Sequence, residues 1–342
     1  MIVRSKAPLR LGLAGGGTDV SPYCDLYGGV TLNATIDLYA YCTIEETSDG
    51  LVHIDAYDAD CHCTLPLAEN LDTSDGKAIL IKGVYNRLVS DFGITPGGFC
   101  ITTSNDAPCG SGLGTSSTMV VCIIKAFAEW HHLPLGDYES ARLAYQIERV
   151  DLGLSGGRQD QYAAAFGGFN FMEYGPSESV IVNPLKVKRW IVDELEGSIV
   201  LYYTGRSRSS AEIIDRQKKN TASGNAASID AMHRIRRSAY DMKSALMSGD
   251  MASFAAILGR GWEDKKLMAD GITNPVIEEA FKTATDAGAI SGKVSGAGGG
   301  GFIIFFTDPA NKVPVETALR GLGGTVVPFN FSTGGAHGWI IE

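Results

Sequence analysis

The chain has 342 residues, 44% of them hydrophobic and 20% charged, with a formal net charge of −10. That length suffices for one large unit or two fused lobes with real cores. An acidic chain without a long basic run argues against nucleic acid or an anionic membrane surface as the main partner, although a few arginines can still build a local site for an anionic small molecule. The segment MIVRSKAPLR lacks the apolar stretch of a signal peptide, and no run approaches the roughly 20 apolar residues of a membrane helix. The seven cysteines are therefore expected as reduced thiols of a cytoplasmic protein.

In chain order, residues 3–13 alternate partially and predict a strand, followed by a glycine loop at 14–18. Residues 30–45, rich in Thr, Ile, Tyr and Val, predict a second strand and 51–65 a hairpin arm. In the latter, Cys61-His62-Cys63 puts two thiols on one strand face and an imidazole on the other, with no second ligand pair at zinc spacing. Residues 78–91 have a helical period, and 98–104 predict a strand. Residues 118–132 are apolar almost all round, the pattern of a buried helix. A further helix is expected at 138–152, then an interrupted glycine-rich stretch at 153–168.

The weak boundary at 185–198 divides two expected lobes, 1–190 and 191–342. A strand at 199–204 opens the second. Residues 211–225 are polar and Ser/Thr-rich, and are expected to be a mobile segment. A helical period over 229–258 breaks at Gly249. Asn274-Pro275 and Gly288 punctuate a helix as cap, first turn and stop. A glycine loop then runs into the strand FIIFF, and late strands are expected at 326–331 and 339–342. Strands and helices mix without regular βαβ alternation, so the fold class is α+β.

Residues 108–117, PCGSGLGTSS, directly precede the buried helix. Their glycines let backbone N–H groups approach a ligand, and the helix directs its positive end at whatever fills the loop. Without the lysine of a Walker A loop, the stretch suggests nucleotide phosphate in a different architecture. Three short matches mislead. Residues 296–301 fit GxGxxG but lead into a strand; Asp91-Phe92-Gly93 has no kinase context; and 153–157 fit GxSxG after a helix rather than a strand. Three glycine islands remain, at 12–17, 110–114 and 296–301. Taken alone, Asp160 is either a helix cap or a catalytic carboxylate, while Glu148 reads as a solvated helix residue, Arg10 as an edge-strand charge and Asp19 as a loop cap.

PCGSGLGTSS resembles the second motif of the GHMP kinases, the group of galactokinase, homoserine kinase and mevalonate kinase. KAPLRLGLAGGGTDV is similar to their first motif and KVSGAGGGGFIIF to their third, in the same order along the chain. The resemblance implies a two-lobed fold, with an N-terminal lobe like ribosomal protein S5 domain 2 and a ferredoxin-like C-terminal lobe. It implies ATP held by Pro108, Gly110, Ser111, Gly112, Leu113, Gly114, Thr115, Ser116 and Ser117, with Mg2+ on Ser116 and Glu148. Asp160 is then the catalytic carboxylate, with Arg10 stabilising charge on the transferred group. Gly15, Gly16, Gly17, Thr18 and Asp19 would line the substrate, as would Gly296, Ala297 and Gly298, with Ser295 as a further donor. Arg158, Arg206 and Arg208 are the candidates for a substrate phosphate, because guanidinium forks suit phosphate oxygens.

GGGTD in the first motif is most similar to the branch acting on D-glycero-D-manno-heptose 7-phosphate. That implies phosphorylation of the anomeric hydroxyl on the way to a nucleotide-activated heptose. The partners would be ATP and a sugar phosphate, and the assembly a homodimer. The rival readings are another sugar-1-kinase of the family, fucokinase- or galactokinase-like, and a non-catalytic sugar or nucleotide sensor.

Overall fold

Alternating apolar residues make β1 (Ile2–Ala14) a strand with a core face, and β2 (Gly29–Thr47) pairs with it antiparallel along most of its length. Between them, α1 (Tyr23–Tyr27) follows the first glycine island. The computed structural model describes residues 1–95, 97–205 and 210–341. The hairpin of β3 (Leu51–Ala56) and β4 (Cys61–Pro66) turns Cys61 and Cys63 toward the core, while His62 is exposed and hydrogen-bonds Asp55. After α2 (Ile79–Phe92), β5 (Gly98–Asn105) leads into the second island. α3 (Thr115–Trp130) starts three residues earlier than its apolar pattern implies, so Thr115, Ser116 and Ser117 form its first turn.

α4 (Asp137–Gln146) ends in a wide π-turn, Ile147–Asp151, that holds Glu148. The stretch expected as an interrupted glycine region contains α5 (Gln159–Phe166). Three elements absent from the sequence reading follow: β6 (Phe169–Tyr174), β7 (Val180–Pro184) and α6 (Arg189–Ser198). β8 (Ile199–Tyr203) opens the second sheet. The polar segment expected to be mobile is instead a helix, α7 (Ser210–Ala222). Its anchors are the buried Ile213 and hydrogen bonds from Gln217 to the Gly17 carbonyl and from Asn220 to that of Met268.

α8 (Ala226–Ser248) and α9 (Met251–Lys266) break at Gly249 as their pattern implies. α10 (Pro275–Asp286) is capped by Asn274, whose side-chain oxygen accepts from Val276 and Ile277. β9 (Ala289–Val294) and β10 (Phe302–Thr307) flank the third island, and α11 (Lys312–Arg320) follows. The late strand expected at 326–331 is reduced to the two-residue β11 (Thr325–Val326) plus a bridge from Phe331 to Ile36. β12 (His337–Ile341) crosses back to pair with β1.

The first sheet runs β12-β1-β2-β5-β3-β4, with β6 paired to the first residues of β2 and β7 to β6; the second runs β11-β8-β10-β9. One apolar core lies between the first sheet and α2 and α3. A second is shared by the two sheets and by α8 and α9, joining Leu9 and Leu11 to Phe254, Phe302 and Ile304. The fold is α+β, and all three glycine islands meet where the sheets approach. No helix among the described residues is long and apolar enough to cross a membrane.

Candidate active site

The islands are locked together by backbone contact. Ser111 and Leu113 of the second accept hydrogen bonds from the Phe302 and Arg10 amides. Ser295 Oγ donates to the Gly112 carbonyl at 2.8 Å. Gly112 and Gly296 both have positive φ, 85° and 71°, and a Cβ added to Gly296 would lie 2.7 Å from Gly112 Cα. Only glycine allows both that conformation and that approach. The loop turns directly into α3, whose N-terminus has no side-chain cap. The first-turn N–H groups of Thr115, Ser116 and Ser117 thus aim unpaired partial positive charge into the cleft, an arrangement suited to phosphate.

The cleft has a volume of about 340 Å³ and takes walls from all three islands, α5, α7 and α9. Gly110, Gly112, Gly114, Thr115, Ser116 and Ser117 line it, while Ser111 and Leu113 are buried behind the loop and Pro108 starts its turn. Arg10 is 4% exposed, so it is no edge-strand surface charge. Its Nε and Nη2 both donate to Asp160 Oδ1 at 2.7 Å, and Nη1 donates to the Gly112 carbonyl. Asp160 Oδ2 is left on the side of Gly114, where an added Cβ would lie 3.3 Å from it. The carboxylate is therefore fixed on one oxygen and free on the other, beside the phosphate-type loop.

Asp160 sits in the first turn of α5 but does not cap it. Asp19 does so from the first island: its Oδ2 accepts from the Arg158 and Gln159 amides at 3.0 and 3.1 Å, and its Oδ1 accepts from Gly17 N. Asp19 thus fixes the helix that carries Asp160 and also lines the cleft. Gly16, Gly17, Gly296 and Ala297 line it too. Gly15 and Thr18 shape the turn instead, with Thr18 Oγ1 donating toward the Gly15 and Val30 carbonyls, and Gly298 faces Ile272.

Glu148 is fully buried and reaches the cleft wall. Ser117 Oγ donates to its Oε1 at 3.0 Å and Gln161 Nε2 to its Oε2 at 2.5 Å, with the Arg149 guanidinium 3.5 Å away. Burial pushes its carboxyl pKa up, against the pull of Arg149. The hydroxyl bonded to Glu148 is that of Ser117, while Ser116 is exposed on the cleft wall beside it.

Arg158 does not serve as a phosphate ligand. It is buried away from the cleft, where it donates to Asp25, to Ser21 and to the Gly175 carbonyl and stacks on Tyr145. Arg206 and Arg208 lie outside the described residues. Among the described residues, the cations that line the cleft besides Arg10 are Arg149, Lys265 and Lys293. Sequence reasoning missed all three, as it missed Gln159 and Gln161. Lys293 had a signal, since it opens the third motif; Lys265 in EDKK had none.

Burial pushes the Lys265 ammonium down to about 8, helped by Arg10 and opposed by Asp19 and Asp160. The sign of its effect on stability follows. Between about pH 8 and 10.5 the unfolded chain holds this proton and the folded chain does not, so stability rises with pH across that window. Lys265→Met is expected to be more stable than wild type at pH 7, by on the order of 3 kcal/mol, with the gap closing by about pH 10.5. Denaturant midpoints at the two pH values check this, and a variant less stable than wild type at pH 7 contradicts it.

The comparisons agree with this geometry. A model of the GHMP kinases N terminal domain matches residues 79–168, and one of the GHMP kinases C terminal matches 242–323. A D-glycero-alpha-D-manno-heptose 7-phosphate kinase from Campylobacter jejuni is 50% identical over 99% of both chains. A crystal structure described as a D-glycero-D-manno-heptose 1-phosphate kinase from Bacteroides thetaiotaomicron is 59% identical, covers 99% of both chains and superposes with a TM-score of 0.85. A Lactococcus lactis galactokinase, 16% identical, covers 98% of this chain and 94% of its own with a TM-score of 0.76, a likeness of fold. With three glycine islands locked around one carboxylate–guanidinium pair, and full-length relatives at this identity, the chain belongs to the GHMP kinase family.

Proposed function

We propose that this chain is an ATP-dependent kinase that phosphorylates the anomeric hydroxyl of D-glycero-D-manno-heptose 7-phosphate, giving the 1,7-bisphosphate, in the cytoplasm. The observation that carries the chemistry is Asp160, fixed by Arg10 through Oδ1 and open at Oδ2 beside Gly114. The acceptor hydroxyl would give its proton to, or be oriented by, that free oxygen. The ATP phosphates would lie on the uncapped amides of α3 and the loop before it. Arg10, bridging Asp160 and the Gly112 carbonyl, would face the charge that builds on the transferred group. Phosphoryl transfer of this kind rests on positioning and charge neutralisation, so a preformed, buried constellation is the main requirement.

The residues present fit a divalent cation. A fully buried carboxylate beside hydroxyls on a phosphate-type turn, with the Arg149 guanidinium no nearer than 3.5 Å, is an oxygen ligand set that suits a hard divalent cation. Glu148 and Ser116 would hold Mg2+, with Ser117 and Gln161 orienting the carboxylate. When bound, the ion neutralises charge on the β- and γ-phosphate oxygens. Glu148→Gln is expected to raise the Mg2+ concentration for half-maximal activity at least about tenfold while preserving the melting temperature. An unchanged Mg2+ dependence contradicts the assignment.

The names of the Campylobacter and Bacteroides relatives place the existing phosphate at opposite ends of the heptose. The sugar-1-kinase reading takes the 7-phosphate. ADP release measured with heptose 7-phosphate, heptose 1-phosphate, free heptose, L-fucose and galactose tests it. The expected result is turnover of the 7-phosphate far above the rest; preference for a free sugar or for the 1-phosphate contradicts it.

A further inference from the structure

Two lysines in the cleft belong neither to the phosphate-type loop nor to the Arg10–Asp160 pair. Lys265 on α9 and Lys293 on β9 are 5% and 6% exposed. Lys265 Nζ donates to the Gly296 carbonyl, and Lys293 Nζ donates to the Gly12 carbonyl at 2.5 Å. An ammonium has three donors, so each lysine has donors left over. Other buried cations of the described chain have carboxylate partners: Arg10 has Asp160, Lys82 has Asp75 and Arg158 has Asp25. Lys265 and Lys293 have none within 4.0 Å among the described residues. The nearby carboxylates face other groups, Asp19 facing three backbone amides and Asp160 facing Arg10 through Oδ1.

A buried charge without a partner is costly. Here two stand close enough to repel, together with Arg10, and burial lowers the pKa of both. The wall behind them is apolar, formed by Leu13, Ile257 and Leu258. Gln159, 5% exposed, lines the same cleft near Gly12, and its side-chain carbonyl oxygen has no partner among the described residues. Unpaired cationic donors and an unpaired acceptor thus face one space. It lies against the first and third islands, where Lys293 meets the Gly12 carbonyl and Lys265 the Gly296 carbonyl.

From this we infer that Lys265 and Lys293 form a phosphate-binding subsite for the phosphate that the acceptor sugar already carries, with Gln159 accepting from a sugar hydroxyl. The inference rests on the proposed function and names the residues that make the acceptor a phosphosugar. A phosphate dianion supplies the charge that the lysines lack and accepts their spare hydrogen bonds in a low-dielectric site. The ATP phosphates already have the loop and helix amides. A sugar without the phosphate would leave both ammonium groups unpaired, which discriminates against it.

The test compares kcat/KM for heptose 7-phosphate and for free heptose in wild type, Lys265→Met, Lys265→Arg and Lys293→Met, alongside KM for ATP. In each methionine variant the preference for the phosphosugar is expected to fall about 100-fold, through KM for the sugar, with KM for ATP within about threefold of wild type. Lys265→Arg should recover part of the preference. Loss of kcat on both sugars with the preference intact overturns the inference and assigns the pair to the transferred phosphoryl group.

A second measurement uses the wild type alone. Calorimetric titration at pH 8.5 in buffers of different ionisation enthalpy should show proton uptake with heptose 7-phosphate, as the dianion joins Asp19 and Asp160 in drawing the Lys265 proton back against Arg10 and Lys293, and none with free heptose. Equal uptake for both sugars, or none, overturns it. A wild type that uses free heptose as well as the phosphosugar sinks the reading of the acceptor and this inference together. A phosphosugar-specific wild type whose lysine variants keep their preference sinks only the inference.

Discussion

Asp160→Asn is expected to lower kcat by about 10³-fold while ATP binding survives. The amide keeps an oxygen for Arg10, so the guanidinium retains a partner and the site stays in place. What it loses is the carboxylate oxygen on the side of Gly114. The phosphate-type loop is held by Arg10 N, Phe302 N and Ser295 Oγ, which do not depend on the Asp160 charge, and by Arg10 Nη1, which keeps its bond to the Gly112 carbonyl. Single-turnover ADP formation and a separate ATP titration check this. Near-normal turnover of the true acceptor would remove Asp160 from the mechanism. Loss of ATP binding along with turnover would mean that the pair holds the loop as well as the chemistry.

Gly112→Ala is expected to destabilise the protein by about 3 kcal/mol and to raise KM for ATP at least about tenfold. Two penalties combine there. At φ 85° a side chain is strained, and its Cβ would lie 2.5 Å from the Ser295 carbonyl oxygen, which belongs to backbone and has no rotamer to change. Relief requires the second and third islands to separate, which moves the amides that would bind phosphate. Gly323→Ala separates the two penalties: its φ is 83°, but nothing lies within 4 Å of an added Cβ. It should cost about 1 kcal/mol and leave KM for ATP alone. Equal effects of the two substitutions would show that contact between the islands contributes nothing.

The most legible parts of the sequence were those in which local pattern and tertiary role coincide. The long alternating runs became β1 and β2, and the Asn-Pro and Gly punctuation marked α10. The glycine islands were legible because backbone approach leaves a compositional trace. Arg10, Glu148 and Asp160 stood out only through motif resemblance, since a carboxylate on a helix or an arginine on a strand is locally ordinary.

Lys265 and Lys293 were hidden for a different reason. Their burial comes from two sheets and α9 closing over the first island, and nothing in EDKK distinguishes Lys265 from Lys266, which reaches out to pair with Glu263. Arg158 failed in the opposite direction. It looked like a phosphate fork beside a glycine run, but Asp25 and the Gly175 carbonyl, remote in sequence, use its donors. The polarity of α7 suggested mobility because its anchors are a few long-range hydrogen bonds rather than an apolar stripe.

The proposed reaction is one transfer, from ATP to the anomeric oxygen of a sugar that already carries a phosphate. Phosphorus NMR of the product formed from heptose 7-phosphate and ATP tests this most directly. The predicted product has two sugar-linked phosphorus signals, the original phosphomonoester unchanged and a new glycosyl phosphate coupled to the anomeric proton. A new signal coupled to any other sugar proton, or no new sugar-linked signal while ATP is bound, would contradict it.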